Sequence, residues 1–255
     1  MKDQSQSSLI QTKRSSRSKK SAHAGVEWTA ARAVAELQRL GEKRNVEGMA
    51  RFGIRSKKVF GVSKQGLDGL ARKIGKNHEL GLLLWETGIL DARILGVLIS
   101  EPEKVDAKLM DRWVKDFDNW ATCDGTCCHL FAFAAPAWKK AFEWTRRERE
   151  FEKRAGFALA SFLVVHDKKA ANAVFEKFLK TIEREAWDDR NFVRKAVNWA
   201  LRNIGKRNLR LNRAAIASAG RIRRQGTRAA RWIAADALRE LQSDAVQKRL
   251  RRSAD

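Results

Sequence analysis

Apolar side chains recur every three or four residues from about Trp28 to Leu241, which is the spacing of one face of an α-helix. Alternation with a period of two, the pattern of a β-strand, is hard to find, and the chain has only two prolines. Short polar connectors such as HDKKA and AWDDRN separate the apolar segments. The pattern therefore predicts an all-α chain of antiparallel helices joined by short loops.

Two local signals predict helix boundaries. Ser100 followed by Glu103 indicates a capping box at a helix start, with Pro102 in the first turn. Gly205 predicts the end of a helix that begins near Asp188. The chain holds more helices than a four-helix bundle needs, which favours a HEAT-like helical repeat solenoid of antiparallel helix pairs with a concave basic face. No fixed repeat can be read from the sequence.

The stretch FDNWATCDGTCCHLF places a carboxylate where a helix should be apolar. At 100° per residue, one narrow face carries Trp120, Asp124, Cys127 and Phe131. A carboxylate there must be paired, desolvated or turned toward a cavity. One interpretation is that Asp118 or Asp124 caps a helix, with Asn119 competing for that role. The other is that Trp120 and Asp124 face one ligand, where the carboxylate stabilises a developing positive charge. Cleavage of an N-glycosidic bond develops such a charge on the sugar.

Cations border the apolar arc of a second predicted helix, DDRNFVRKAVNWALRNIGKRN. Trp199 lies at the edge of this arc, next to a stripe formed by Lys195, Arg202 and Lys206. An indole beside three cations suits the sugars, bases and phosphates of a nucleic acid, with the two lysines as candidate phosphate contacts. The alternative is a boundary tryptophan packed under Lys and Arg stems. Arg154, on the helix between, either forks onto a phosphate or is a solvated rim residue.

The charge of the chain favours a polyanionic partner. Among 255 residues, 53 are Lys or Arg and 30 are Asp or Glu, which gives a formal net charge of +23. Nucleic acid is the commonest partner for such an excess. An anionic membrane surface is another, but the sequence has no apolar run of membrane-spanning length and no lipidation motif. We therefore expect no membrane association.

Composition also divides the chain. Residues 1–24 are serine-rich and basic without an apolar core, which predicts a disordered basic tail, with a mitochondrial presequence as the alternative. We expect the repeat domain to span residues 25–241 and a basic C-terminal tail to follow over residues 242–255. The three cysteines all fall between Cys123 and Cys128 and make no disulfide framework. This favours a reducing, cytoplasmic setting, associated with the nucleoid if the source is a bacterium.

The cysteine cluster, which includes Cys127 and is followed by His129, resembles part of a zinc site. Structural zinc needs four ligands, typically with a second paired cluster elsewhere, and no other histidine has a cysteine or histidine close in sequence. Walker, G-x-G-x-x-G, G-x-S-x-G and H-E-x-x-H motifs are absent. We expect buried thiols, no metal and no cofactor.

Three stretches in order, MDRWVKDFDNWATCDG, FEKRAGFAL and DDRNFVRKAVNWALRNIGKRN, resemble the HEAT-like-repeat alkylpurine DNA glycosylases of the AlkD type. The most specific pieces are W-x3-D at Trp120–Asp124 and K-A-x-x-W-x-L-R at Lys195–Arg202, with R-A on the helix between them. The likeness runs from Gly48 to Asn208. Gly125, Cys127, Cys128 and the long basic ends depart from the family pattern, which leaves the range of damage and any additional partner open.

The resemblance implies a role for each candidate residue. Asp124 would be the catalytic carboxylate. Trp120 and Trp199 would border the lesion nucleotide, and Arg154 and Arg202 would bind the DNA backbone. Family members remove cationic N3- and N7-alkylpurines from double-stranded DNA without a metal, and are thought to act without trapping the base. We expect a monomer without an obligate protein partner.

Two other functions remain open from the residues themselves. In the first, the chain is a non-catalytic HEAT-like nucleic-acid binder in which Asp124 is a cap and the basic face clamps phosphates. In the second, it is a protein-interaction scaffold whose charge serves solubility or an acidic partner. Release of bases from methylated DNA separates the glycosylase from both, and a steep salt dependence of DNA binding separates the two from each other.

Overall fold

The computed structural model describes residues 27–54 and 56–252 of the chain. Within these ranges the backbone forms fourteen α-helices, two short 3-10 helices and no strand, which confirms the all-α prediction. The predicted tail of residues 1–24 lies outside the described residues. The α-helices are α1 (Ala30–Leu40), α2 (Lys43–Arg51), α3 (Lys64–Ile74), α4 (His78–Glu86), α5 (Leu90–Ile99), α6 (Ala107–Val114), α7 (Trp120–His129), α8 (Ala137–Trp144), α9 (Glu150–His166), α10 (Asn172–Glu185), α11 (Asn191–Gly205), α12 (Leu209–Arg224), α13 (Arg228–Leu241) and α14 (Asp244–Arg252).

One of the two boundary predictions is confirmed and the other is wrong. Gly205 is the last residue of α11, which begins at Asn191. Ser100, by contrast, ends α5: its hydroxyl donates to the Gly96 carbonyl at 2.7 Å. The next α-helix starts later, after Asp106 as its N-cap. The capping-box pattern failed because the Ser100 side chain bonds back into the preceding helix.

The helices stack in two layers. One layer is formed by α5, α7, α9, α11 and α13, each of which contacts the next. Helices α8, α10 and α12 form the second layer. Helix α8 packs on α9, α10 on α11, and α12 on both α11 and α13. Each pair buries an apolar face against its neighbours, as helical repeats do. The predicted helical repeat architecture is confirmed, and the candidate functional residues all belong to the odd-numbered layer.

The helices around the start of this layer are tightly packed. Trp85 of α4 stacks on Trp113 of α6 with ring centroids 4.0 Å apart. Helices α4 and α5 approach so closely that a Cβ on Gly96 would lie 2.7 Å from the Gly81 carbonyl oxygen. Interiors packed this closely tolerate little change in side-chain volume. No helix in the described ranges combines the length and the apolar character that crossing a membrane would need.

The folded region extends past the predicted domain boundary at Leu241. Helix α14 buries Val246 and Leu250 against the preceding helices. The Gln247 side-chain amide donates to the Leu241 carbonyl at 2.7 Å. Most of the stretch predicted as a basic C-terminal tail is therefore a helix packed on the repeat domain, and residues 253–255 lie outside the described ranges.

Candidate nucleic-acid interface

Asp124 lies on α7, one turn after Trp120, the first residue of that helix. Its side chain is 18% exposed. The helix is capped by Asn119, whose Oδ1 accepts a hydrogen bond from the Thr122 N–H at 3.0 Å. The interpretation of Asp118 or Asp124 as the cap is therefore wrong. The Asp124 carboxylate serves another contact.

The partner of Asp124 is Arg154, on the neighbouring helix α9. Its Nε donates to Oδ1 of Asp124 at 2.9 Å and its Nη2 to Oδ2 at 2.6 Å. Its Nη1 donates to the carbonyl of Phe192 on α11 at 2.7 Å. Arg154 is 7% exposed, so the interpretation as a solvated rim residue is wrong. The guanidinium connects three consecutive helices of one layer, and a backbone phosphate would have to compete with both of its partners.

The pair keeps the guanidinium charged in a largely dry place. Burial alone would lower the pKa of Arg154, but the charge of Asp124 and its hydrogen bonds outweigh burial, so that this pKa is raised. Each carboxylate oxygen accepts one bond from Arg154 and keeps a further lone pair. The arrangement therefore fixes the rotamer of Asp124 and leaves part of the carboxylate open to a ligand.

Two cysteine thiols also lie at the contact between α7 and α9. Cys123 and Cys127 of α7 donate to the carbonyls of Phe151 and Ala155 of α9, each with a sulfur–oxygen distance of 3.7 Å. Burial raises the pKa of the Cys123 thiol well above its ordinary value, so this thiol stays protonated. The part of the chain that the structure describes has no cluster of three or more potential metal ligands. These thiols therefore pack α7 against α9 beside Asp124.

The two candidate tryptophans have different surroundings. The half-buried Trp120 donates its indole N–H to the Phe52 carbonyl at 2.9 Å. Trp199 meets Phe162 edge-on, with ring centroids 5.0 Å apart and planes at 88°. Trp199 lies about two turns beyond Phe192 on α11, roughly 10 Å along the helix axis. Trp120 thus shares helix α7 with Asp124, whereas Trp199 lies on α11, two helices further along the same layer.

The predicted cation stripe of α11 is mostly paired. Arg202 and Lys206 both bind Glu240 of α13, the lysine at 2.7 Å. Arg202 also lies 3.7 Å from a carboxylate oxygen of Asp236. Lys195 is exposed and has no carboxylate partner among the described residues. Burial alone would raise the pKa of Glu240, but hydrogen bonds from Lys206 and Arg202 outweigh it, so that the pKa is lowered. Two of the three cations are therefore partly neutralised where they stand.

Sequence reasoning missed the pairing of these charges. Asp124 and Arg154 are 30 positions apart, while Arg202 and Glu240 are 38 positions apart. Each separation is one step along the odd-numbered layer. Because the step length differs between repeats, no fixed period was visible. Searching for opposite charges about one helix pair apart is the signal that could have found both contacts.

The chain resembles known proteins in sequence and in structure. A sequence model of the DNA alkylation repair enzyme family matches residues 33–241. The chain is also similar to a solved structure from a family described as related to the HEAT-like repeat DNA glycosylases, with affinity for branched DNA structures. The TM-score is 0.69 at 21% identity, over 76% of this chain and 83% of that chain, which supports the fold alone. No curated protein matches the chain.

Proposed function

The chain belongs to the DNA alkylation repair enzyme family, and we propose that it is a DNA glycosylase. Its reaction is hydrolysis of the N-glycosidic bond of cationic N3- or N7-alkylated purines in double-stranded DNA. The observation that carries the proposal is the Asp124 carboxylate, partly exposed and held at both oxygens by Arg154, one helical turn from Trp120. A carboxylate held this way is preorganised to face a positive charge.

The chemistry needs little beyond that carboxylate. An N3- or N7-alkylpurine is already cationic, so it leaves with the electrons of the glycosidic bond and needs no general acid. The sugar becomes oxocarbenium-like, and Asp124 stabilises that charge. Water then adds at the anomeric carbon, and the free lone pairs of Asp124 orient it and accept its proton. No metal or redox cofactor takes part in this scheme.

The surrounding residues position these groups. We assign Arg154 the role of positioning Asp124 rather than the backbone contact, because all three of its nitrogens already donate to protein oxygens. The positive charge of Arg154 also partly offsets the negative charge of Asp124, which weakens the stabilisation that the carboxylate gives to a cation. The rings of Trp120 and Trp199 border the lesion nucleotide and add roughly 0.5–2 kcal/mol of cation–π attraction where they face the charged base or sugar.

The phosphates of the duplex bind to the cations of α11. Lys195 is exposed and ready for a phosphate. Arg202 and Lys206 reach phosphates with the N–H groups that Glu240 leaves unused, since a guanidinium has five N–H donors and an ammonium three. The face carrying these groups belongs to the same layer as Asp124. The duplex therefore lies along α7, α9 and α11.

The direct test is base release. Purified protein is incubated with duplex DNA that carries N-methylated purines, and the free bases are separated by chromatography. We expect 3-methyladenine or 7-methylguanine to appear at a rate above spontaneous loss. Absence of release from both lesions, by protein that binds the duplex, would reject the glycosylase.

Structure-selective DNA binding without catalysis is the second candidate. The similar solved structure comes from a family with affinity for branched DNA, and an ion pair like that of Asp124 with Arg154 can serve structure alone. This candidate predicts tighter binding to a four-way junction than to a linear duplex of equal length, together with no base release. Equal affinity for both DNA forms would count against it.

A further inference from the structure

A cleft of about 800 Å³ opens between α2 and the start of α7; Trp120 lines it, whereas Asp124 and Arg154 do not. Its volume is in the range of sites that hold a nucleotide-sized ligand. The Trp120 ring lines one wall and Phe52, just past the end of α2, lines another. The hydrogen bond from the Trp120 indole to the Phe52 carbonyl joins the two walls. The cleft is thus built onto a residue of the candidate catalytic helix.

Phe52 is the most exposed large apolar side chain among the described residues, at 73%. It lines the cleft, and its exposed ring is available to contact a planar ligand. Aromatic side chains of this kind stack on nucleobases in proteins that bind unpaired nucleic acid. An exposed phenylalanine and a half-buried tryptophan that line the same cleft therefore suit a nucleobase that contacts both rings.

The charges around the cleft suit a phosphate. Arg44, Arg51 and Lys64 line it, against a single carboxylate, that of Glu47. Arg44 and Arg51 are exposed and have no carboxylate partner in the described ranges, while Lys64 binds Asp68. The net positive lining is complementary to the backbone of a nucleotide.

Gly48 leaves open space in the cleft. It lies inside α2 and lines the cleft, and a Cβ built on it would meet nothing within 4 Å. Glycine inside a helix destabilises the helix, and neither a positive φ nor a close neighbour requires it here. The empty space above Gly48 is room for a molecule other than the protein. Helix α2 has no fully buried residue, and Asn45 ties it to the Gly61 carbonyl at 2.8 Å.

We propose that this cleft binds an unpaired nucleobase of the DNA, stacked between Phe52 and Trp120, with its phosphate near Arg44 and Arg51. The occupant is a nucleotide that has left the stack near the lesion, and is distinct from the sugar that faces Asp124. The inference rests on the proposed function only for its ligand, duplex DNA. It gives the enzyme a way to hold a locally opened duplex.

Bulged duplexes test the site. One probe carries a single unpaired adenosine and the other an abasic tetrahydrofuran at the same position, so that they differ only in the base. We expect the protein to bind the adenosine bulge more tightly. Phe52→Ala should weaken binding of the adenosine bulge by about five- to hundredfold, the range of one lost base–aromatic stack, and should leave the abasic bulge unchanged. Phe133→Ala removes another exposed phenylalanine, outside the cleft, and should change neither.

A steric variant keeps the test independent of folding. Gly48→Leu places a side chain in the cleft from a position where its Cβ meets no protein atom, and leucine favours the helix, so the melting temperature should not fall. It should lose the preference for the adenosine bulge, whereas Gly220→Leu, in a similarly open position on α12, should keep it. Equal binding of both bulges by the wild type, or an unchanged preference in Phe52→Ala and Gly48→Leu, would overturn the site. Base release from methylated duplex is scored separately, so failure of the glycosylase is distinguishable from failure of the cleft.

Discussion

Arg154 holds both carboxylate oxygens of Asp124, at 2.9 and 2.6 Å, across the contact between α9 and α7. The same guanidinium donates to the Phe192 carbonyl of α11. The proposed catalytic carboxylate is therefore also a structural tie between helices. Removing either partner of such a pair leaves a buried charge unmatched, which typically costs about 3–5 kcal/mol. Activity and stability are coupled in every single substitution here.

Asp124→Asn should lower the rate of alkylpurine release by roughly 10²–10³-fold, because the amide carries no charge to stabilise the sugar cation. It should also lower the free energy of unfolding, because Arg154 loses its counter-charge. Base release and urea unfolding, measured on the same preparation, give both quantities. Binding to undamaged duplex should change little.

The double variant Asp124→Asn/Arg154→Met separates the two effects. With both charges removed, the stability should return toward that of the wild type, since replacing a buried pair by neutral groups is often nearly neutral. The rate of base release should stay low. Recovery of base release together with stability would show that Asp124 acts only through the fold.

Trp120→Phe tests which part of the indole matters. The substitution keeps an aromatic ring beside Asp124 but removes the hydrogen bond to the Phe52 carbonyl, a bond worth about 0.5–1.5 kcal/mol net. We expect its rate of base release to lie closer to that of the wild type than the rate of Trp120→Ala does. Equal losses in both variants would show that the hydrogen bond of the indole N–H, and not the ring, supports the reaction.

Trp199→Ala should also lower the rate of base release, by less than Asp124→Asn does.

Salt dependence tests the duplex-binding surface. If about five to eight phosphates are neutralised, log K should fall against log[salt] with a slope of about −4 to −7. Glu240→Gln should raise duplex affinity and steepen this slope, because it releases Arg202 and Lys206. Arg202→Ala should make the slope shallower by about one unit.

A carboxylate on the other layer serves as the matched control. Glu183 of α10 binds Arg221 of α12 at 2.7 Å, much as Glu240 binds its cations. Glu183→Gln should leave the salt slope unchanged, because α10 and α12 lie behind the proposed DNA face. A slope that does not respond to Glu240→Gln, or that responds equally to both variants, would place the duplex elsewhere.

The helices and the site differ in how far they could be predicted. The sequence predicts α11 and its end at Gly205 correctly, because the three- and four-residue spacing of apolar side chains is a local property. The pairing of Asp124 with Arg154 depends on which helices are neighbours, and this information is not local. The capping pattern at Ser100 failed for a related reason: several local bonds compete for one hydroxyl, and tertiary context selects among them.

Chelation should leave both folding and base release unchanged. The thiols of Cys123 and Cys127 already donate to backbone carbonyls, and Cys128 is half-buried with its pKa raised by burial. A thiol that stays protonated is a poor metal ligand. Elemental analysis before and after treatment with a chelator, followed by thermal unfolding, checks this. Stoichiometric zinc that is lost together with the fold would contradict it.

The stability of the protein should fall in acid through its bridging carboxylates. The pKa of Glu240 is lowered because hydrogen bonds from Lys206 and Arg202 outweigh the opposing effect of burial. For Asp188, hydrogen bonds from Arg190 and Lys153 outweigh burial in the same way, and its pKa is lowered too. A carboxylate whose pKa is lower in the folded state stabilises the fold at pH values above its pKa in the unfolded state. This contribution to stability is lost as the pH falls through the pKa of the folded state.

Glu240→Gln measures this contribution at one position. At about pH 7 the variant should have a smaller free energy of unfolding than the wild type, because Arg202 and Lys206 lose their shared partner. The difference should begin to shrink below about pH 4.5 and approach zero once Glu240 is protonated in both states of the wild type. Urea unfolding at a series of pH values gives the two curves. Parallel curves down to about pH 3 would show that Glu240 contributes through shape and not through its charge, and would remove the electrostatic account of the contact between α11 and α13.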